Sequence, residues 1–360
     1  MFYKDYGKTG KKVSALGFGG MRFKTEKNGE YDIDKCAELV KEAYDLGITY
    51  FDTAPGYCGQ KSEVIMGRAF QDMKGTYYVS TKSSAKDPAK LRKDLETSLQ
   101  RTGKDKIDFF HIWCVLTMDD YRSRMRKGGP YEEAMKAKSE GLIEHVVIST
   151  HCTGDEIETI ANEGCFEGIT LGYNAINFPF RQKGIKAAYK NNMGVVTMNP
   201  LSGGLIPDNK NSFTFIAEGD ETPVEAALRF NAAHDEITVV LAGIDTPEHL
   251  RQNVAALFDR TYISAERMSN INDKLSASMD KLCTGCRYCE YCPEGIEISK
   301  FMQAYNQNLI IGKESAVGMF KWHWGIPSSD ANKCIQCGKC ETLCTQKLNI
   351  IERLADIASW

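Results

Sequence analysis

The segment Tyr50-Phe-Asp-Thr-Ala-Pro-Gly-Tyr-Cys-Gly-Gln-Lys-Ser-Glu63 decides how the rest of this chain is read. It continues a buried strand that begins at Ile48, delivers Asp52 at the strand's end and carries Tyr57 in the loop beyond. A second apolar strand, from Tyr77, ends on Lys82, and a third, from Ile107 to Trp113, carries His111 in mid-run. An acid, a phenol, an amine and an imidazole therefore leave three consecutive strands. A functional reading requires that the four meet at one point.

Working outward, apolar runs predict strands near 15–19, 48–53, 77–82, 107–113, 145–150, 169–175, 194–199 and 237–243. Helical patterns lie between them. One begins at Asp34, with Cys36, Leu39, Val40, Ala43 and Leu46 on a single stripe. Others cover 62–70, 88–99, 131–139, 155–162, 182–190, 223–233 and 247–257. Pro88, Pro223 and Pro247 stand at first helical positions, each behind a capping residue (Asp87, Thr222, Thr246). Ahead of the first strand, Gly7-Lys-Thr-Gly10 marks the turn of a hairpin that suits the bottom of a barrel.

Strand–helix alternation alone fits either a doubly wound sheet or a (β/α)8 barrel. Two features favour the barrel. The count is eight, and Gly17-Phe-Gly-Gly20 is only a weak echo of a dinucleotide-binding glycine fingerprint. In a barrel, chemistry sits at the C-terminal ends of strands, where Asp52, Lys82 and His111 fall. The 360 residues exceed one barrel of roughly 250. The expected organisation is an α/β TIM barrel over 1–264 and a small, mainly helical domain over 265–360.

Basic and acidic residues (45 and 48) are interspersed and net charge is −3, so nothing asks for nucleic acid or an anionic membrane. No run reaches the ~18 apolar residues of a membrane span, and the first residues lack a signal-peptide core, so the expected location is the cytoplasm. The densest basic run, Arg122 to Lys127, reads as a solvated helix face or as an anion site near a substrate mouth.

Of thirteen cysteines, eight lie in the last 80 residues, as Cys283, Cys286, Cys289 and Cys292, then Cys334, Cys337, Cys340 and Cys344. In a reducing compartment this predicts metal binding rather than disulfides. Three thiolates at two-residue spacing wrap one corner of an iron–sulfur cube, and a distant fourth completes the other. Structural zinc is the alternative, since C-x2-C pairs also build such sites.

Chemically, a lysine beside a phenol lowers the phenol's pKa by favouring phenolate, a carboxylate keeps the lysine charged, and a histidine orients a carbonyl oxygen. That is a tuned general acid. The structural alternative is an Asp52–Lys82 ion pair beside two ordinary half-buried residues.

These residues resemble the aldo/keto reductase family. The resemblance rests on Gly17-Phe-Gly-Gly20, Asp52 to Tyr57, Ser62-Glu63, Ser80-Thr-Lys82, Asp108 to His111, Gly141-Leu-Ile, Asn199 to Gly204 and Gly243 to Asn253, in order over about the first 260 residues. It implies a barrel that binds NAD(P)H, with Tyr57 as proton donor, Lys82 as its partner, Asp52 as the partner of Lys82, and His111 orienting substrate. Ser149 and Asn174 would meet the nicotinamide amide. The family's strand-six glutamine aligns with Gly172 and its strand-seven aromatic with Met198. Leu201, Gly203, Gly204, Gly243, Asp245, Thr246, His249 and Asn253 would meet phosphates and ribose. An acid at Asp245 disfavours a 2′-phosphate and favours NADH; the other reading is that Asp245 only helps cap the helix before Pro247.

The C-terminal segment resembles a ferredoxin-like module with two [4Fe-4S] clusters. Carried over, one cluster takes Cys283, Cys286, Cys289 and Cys344, and the other Cys334, Cys337, Cys340 and Cys292. The spacer contains Trp322-His-Trp324. The implied activity is interconversion of a carbonyl compound and its alcohol, and the clusters imply an electron carrier of the ferredoxin or flavodoxin type as partner. The rival reading is an iron–sulfur electron-transfer or redox-sensing protein whose barrel is a nicotinamide-binding or docking module.

Overall fold

The computed structural model describes residues 1–360 apart from 179–180, 261, 279–281, 284–285, 311, 319 and 321–324, and apart from the side chains of 276–278. Trp322-His-Trp324 lies outside the described residues. Two compact units emerge: Met1–Pro200 with Glu225–Ile263, and Leu201–Val224 with Ser264–Trp360.

The first unit opens with an antiparallel hairpin, β1 (Tyr3–Asp5) and β2 (Lys12–Ser14). Eight parallel strands follow: β3 (Leu16–Gly19), β4 (Tyr50–Asp52), β5 (Tyr78–Ser83), β6 (Ile107–Val115), β7 (Ile143–Thr150), β8 (Gly168–Gly172), β9 (Gly194–Met198) and β10 (Val239–Gly243). They close into a barrel in sequence order, with β10 returning to β3. Between them run α1 (Ile33–Asp45), α2 (Ser62–Phe70), α3 (Pro88–Thr102), α4 (Met118–Met125), α5 (Pro130–Ser139), α6 (Gly154–Asn162), α7 (Gln182–Lys190), α8 (Leu205–Asp208), α9 (Pro223–Ala232) and α10 (Pro247–Ala256).

The α1 stripe buries Cys36, Leu39, Val40 and Ala43, whereas Leu46 falls beyond the last turn and is exposed. Asp87 and Thr246 cap α3 and α10 by accepting from the N–H groups of Lys90 and His249. Helix α4 carries the start of the basic run, in keeping with the helix-face reading; Thr117 caps it and Asp119 and Asp120 occupy its first turn.

The hairpin closes the N-terminal end of the barrel. Tyr6 is fully buried, its ring centroid 4.2 Å from that of Phe109, among Tyr50, Val147, Val196 and Val239. Burying such a ring stabilises by roughly 1.5–3 kcal/mol. Glycines make the room: a Cβ at Gly194 or Gly168 would come within 2.2 or 2.4 Å of Tyr6 atoms. Lys4 anchors the hairpin by donating to the carbonyls of His234 and Ile237 at 2.8 and 2.7 Å.

The second unit contains α11 (Ala265–Ser278), α12 (Ile298–Ile310), α13 (Lys313–Gly318), α14 (Lys339–Leu343) and α15 (Ile350–Ala358). Its core joins Phe301 and Met302 of α12 to Ile350, Leu354 and Ile357 of α15. The expected division assigned Leu201–Val224 to the barrel domain, but this segment groups with the C-terminal residues. Arg267 of α11 ties it there, donating to the Ile216 carbonyl and to Glu221, both at 2.7 Å.

Candidate active site

Strand register assembles the site. Asp52 pairs with Ser80 across β4 and β5, and Lys82 pairs with His111 across β5 and β6. Because side chains repeat every second residue in a strand, Ser80 and Lys82 share one face. The Lys82 Nζ donates to both carboxylate oxygens of Asp52 at 2.7 Å, and both side chains are almost fully buried. Ser80 Oγ donates to Asp52 Oδ1 at 2.8 Å and lies 2.9 Å from His111 Nε2.

Tyr57 enters from the loop after β4. Lys82 Nζ sits 5.1 Å from its ring centroid, and Trp113 meets it edge-on at 5.8 Å. The loop turns sharply at Cys58 and Gly59, both with positive φ. Arg101 of α3 braces it, donating to the Pro55 carbonyl at 3.4 Å, to Gln60 Oε1 at 2.9 Å and to the buried Glu63 at 3.3 Å. All four expected residues thus meet, with Ser80 as a fifth member.

The electrostatics differ from expectation in one respect. Lys82 was expected to lower the Tyr57 pKa. Burial outweighs the Lys82 charge and, with Asp52 adding to it, holds the phenol above its ordinary value. Burial also disfavours the Lys82 ammonium, but Asp52 and then Tyr57 overcome that, and Lys82 is shifted up. Burial first and the Lys82 charge second push His111 well below the ordinary histidine range, so the imidazole is neutral.

Residues expected to hold a nicotinamide cofactor are distributed less tightly. Ser149 is buried near the end of β7. Asn174 is engaged with backbone: Nδ2 donates to the Asn199 carbonyl at 2.9 Å and Oδ1 accepts from Ile176 N–H at 3.0 Å. Gly172 was marked by a missing glutamine; here Arg181, fully buried, donates to the carbonyls of Gly172, His151 and Cys152 at 3.1, 3.0 and 3.0 Å. It joins the ends of β7 and β8, and no sequence pattern had marked it. Met198 ends β9 half-buried.

At the end of β10, Gly243 is exposed and packs under the Arg22 side chain. Asp245 is paired with Lys24 at 3.2 Å and with His249 Nδ1 at 2.5 Å. Partial burial opposes its ionisation, but these two partners hold its carboxyl below the usual range. Thr246 caps α10, and Asn253 is buried in that helix. Leu201, Gly203 and Gly204 belong to the second unit, where Ser202–Gly204 forms a tight turn.

The basic run resolves as a helix with assigned partners. Arg122 pairs with Glu163 at 2.5 Å, buried Arg124 with Asp120 at 3.1 Å, and Arg126 donates to the Lys86 carbonyl at 3.0 Å.

In the second unit the cysteines gather in two sets. Cys292, Cys334, Cys337 and Cys340 line one pocket with Ile298 and Ile351. Burial, then the thiols of Cys283, Cys286 and Cys344, push the Cys289 thiol far up, which puts that second set around Cys289. Cys344 Sγ accepts from Leu348 N–H at 3.4 Å, and Cys286 Sγ lies 3.3 Å from the Thr345 hydroxyl. Among the described residues no three potential ligands are gathered as they would be around one metal ion.

A closed eight-stranded barrel thus places a buried lysine–carboxylate pair beside a tyrosine at the C-terminal strand ends, where enzymes of this fold carry their chemistry. The family model described as "Aldo/keto reductase family" matches residues 15–276, and the chain belongs to that family. It is 26% identical over 293 residues to L-galactose dehydrogenase of Arabidopsis thaliana, covering 70% of this chain and 86% of that protein. It is 24% identical over 284 residues to NADH-specific methylglyoxal reductase of Escherichia coli, covering 64% and 85%. An aldo-keto reductase from Bacillus halodurans in its holo form shares the fold, with a TM-score of 0.64, 22% identity and coverage of 76% and 96%. The match ends at residue 276, ahead of the eight clustered cysteines.

Proposed function

We propose that the barrel interconverts a small aldehyde or ketone and its alcohol with NAD(P)H, using Tyr57 to give and take the proton. The observation that carries this is the buried Asp52–Lys82 pair placed beside Tyr57. One relative is named for methylglyoxal and another for L-galactose, so small oxygenated carbonyls are the substrate class to try.

NAD(P)H, when bound, supplies hydride to the carbonyl carbon. Tyr57 donates its phenolic proton to the carbonyl oxygen as negative charge grows there. The Lys82 ammonium stabilises the phenolate left behind, and Asp52 keeps that ammonium charged. Tyr57 held above its ordinary value suits a donor that must stay protonated until the oxygen needs it. His111 orients the substrate. Ser149 is the candidate partner of the carboxamide, since the Asn174 amide is engaged by backbone. The N-terminus of α10, with Thr246 and exposed Gly243, suits phosphate. Asp245 disfavours a 2′-phosphate, while Lys24 beside it offsets part of that charge. NADH is therefore favoured by less than about tenfold, or ~1.4 kcal/mol.

We further infer from the cysteine spacing two [4Fe-4S] clusters, one on Cys283, Cys286, Cys289 and Cys344 and one on Cys334, Cys337, Cys340 and Cys292, in a domain spanning 265–360. Such clusters supply one-electron transfer when bound. A ferredoxin- or flavodoxin-type carrier is the matching partner, and the cytoplasm the matching compartment.

The test is turnover of methylglyoxal and a panel of sugars and aldehydes by the iron-loaded protein without oxygen, read from the absorbance of the reduced coenzyme and run with NADH and NADPH. Tyr57→Phe should lower kcat/KM about 10³-fold while coenzyme binding is kept. Undiminished turnover by that variant would overturn the mechanism. No turnover by the wild type on any carbonyl or alcohol would overturn the activity.

A further inference from the structure

We propose that Glu63 and Arg101 are positioning residues that fix the Tyr57 phenol against Lys82 by fastening the loop on both sides of Tyr57 to the strand that carries Lys82. The kinetic part of this inference rests on the reaction proposed above; the structural part does not.

Glu63 is a fully buried carboxylate that the proposed reaction does not use. It stands in the first turn of α2 and meets two donors. Its Oε1 accepts from the Thr81 hydroxyl at 2.7 Å, and its Oε2 accepts from Arg101 Nη1 at 3.3 Å. Thr81 is buried in β5 beside Lys82. Side chains alternate along a strand, so Lys82 faces Asp52 while Thr81 points the other way, to Glu63 of α2. A guanidinium carries five donors in a rigid fork. Arg101 uses that fork to reach both sides of the Tyr57 loop: Nη1 also donates to the Pro55 carbonyl at 3.4 Å, and Nη2 donates to Gln60 Oε1 at 2.9 Å. Close helix packing fixes the Arg101 backbone, since a Cβ at Gly67 of α2 would come within 2.2 Å of the Arg101 carbonyl oxygen.

The loop is poorly determined by its own bonds. Cys58, Gly59 and Gln60 follow Tyr57 directly, and all three have positive φ (52°, 58° and 71°). Such a run persists only where its surroundings over-determine it. Within the loop, Tyr57 N–H donates to the Ala54 carbonyl at 3.2 Å and Lys61 N–H to the Cys58 carbonyl at 3.0 Å. These local bonds shape the turn but do not set its place over the barrel. The path through Thr81, Glu63 and Arg101 does, and it begins one residue from Lys82. Both members of the Tyr57–Lys82 pair are thus referred to the same strand. An error of about 1 Å in their spacing costs up to ~10²-fold in rate.

The test uses full-length, iron-loaded protein with its tyrosines labelled by 13C at Cζ and read by nuclear magnetic resonance. Tyr57→Phe assigns the Tyr57 signal among the sixteen tyrosines. Arg101→Ala cuts both loop ties. Thr81→Val cuts the tie to β5 with little change in volume, and Thr81→Ser keeps the hydroxyl. The Tyr57 signal should shift or broaden in Arg101→Ala and Thr81→Val and hold its wild-type position in Thr81→Ser. With methylglyoxal and NADH, Arg101→Ala should lose about tenfold in kcat and Thr81→Val about threefold, with KM and the dissociation constant of NADH little changed. Thr81→Ser should keep the wild-type rate. Should Arg101→Ala and Thr81→Val fail to fold, Gln60→Ala, at an exposed position, cuts the far tie without touching the core and gives the same two readouts, each smaller. An undisturbed Tyr57 signal in the variants that fold, or an unchanged kcat in an active protein whose signal has moved, overturns the inference. Equal losses in Thr81→Ser and Thr81→Val also overturn it, because they assign the effect to packing rather than to the hydroxyl. A moved signal in a protein whose wild type turns over no carbonyl upholds the positioning role and overturns the proposed reaction instead.

Discussion

In the barrel, Asp52, Lys82 and His111 stand on strands whose pairing register alone brings them together. In the second unit the cysteines stand on turns and on α14, a helix of five residues. Arg287, between Cys286 and Cys289, and Gln336, between Cys334 and Cys337, both hold positive φ (63° and 55°). Such conformations cost non-glycine residues of order 1 kcal/mol each and persist where the surroundings over-determine them. Asp52, Lys82 and His111 inherit their geometry from a fully paired sheet, and only Tyr57 enters on a loop with positive φ, at Cys58 and Gly59. The proposed clusters would cross-link the cysteine turns. A site built on register tolerates the loss of its ligand; a site built on strained turns does not.

The largest expected effect of the proposed clusters therefore follows the removal of their iron. Chelation under reducing conditions should abolish amide protection around 283–292 and 334–344 while leaving β4, β5 and β6 protected, as read by hydrogen exchange. Simultaneous loss across both units would break the contrast, and so would unchanged protection at the cysteines.

The second effect belongs to the barrel. Lys82→Met strips the partner from a buried carboxylate, which costs about 3–5 kcal/mol. Asp52→Asn added to it should restore part of that loss, since no lone charge then remains buried. The barrel's own unfolding transition in urea measures both. A single variant as stable as wild type would mean the pair is more hydrated than its burial implies.

Much of this architecture was legible beforehand, for identifiable reasons. Each strand of a parallel barrel is buried on both faces and reads as an apolar run, so strands such as Ile107–Val115 announce themselves. Asp52, Lys82 and His111 stood out because ionisable groups are rare in such runs. Ser80 did not, because a serine is unremarkable in a strand; only its two-residue offset from Lys82 could have marked it. The Tyr57 shift was misjudged because burial cannot be read from a loop sequence. Arg181 and the pairing of Asp245 with Lys24 join residues 9 to 30 and 221 positions apart, which one chain without relatives does not disclose.

A smaller effect concerns pH. Reduction needs the protonated phenol, and Tyr57 lies above its ordinary value of 10.0. The reduction rate should stay flat from neutrality to about pH 9 and fall only at more alkaline values. Oxidation needs the phenolate and should climb about tenfold per pH unit over the same range. A reduction rate already falling near neutrality would mean that the bound coenzyme and Lys82 together reverse the effect of burial.

The smallest effect probes where the two kinds of site meet the same rule. Asn306 of α12 is buried and grips the Cys283 backbone twice: its Oδ1 accepts from the Cys283 N–H at 2.8 Å, and its Nδ2 donates to the Cys283 carbonyl at 2.7 Å. It is the counterpart of Arg101, which braces the Tyr57 loop. Asn306→Ala leaves both backbone groups to find other partners, at about 1–3 kcal/mol. If the turns depend on iron, the iron-loaded variant should be close to wild type in thermal stability, because the bound cluster holds Cys283 in place. The iron-free variant, measured by how readily iron and sulfide rebuild the clusters, should lag behind. A deficit of equal size with and without iron would show that the Cys283 turn is held by its protein contacts alone, and the distinction between register-built and ligand-built sites would not apply to that cysteine.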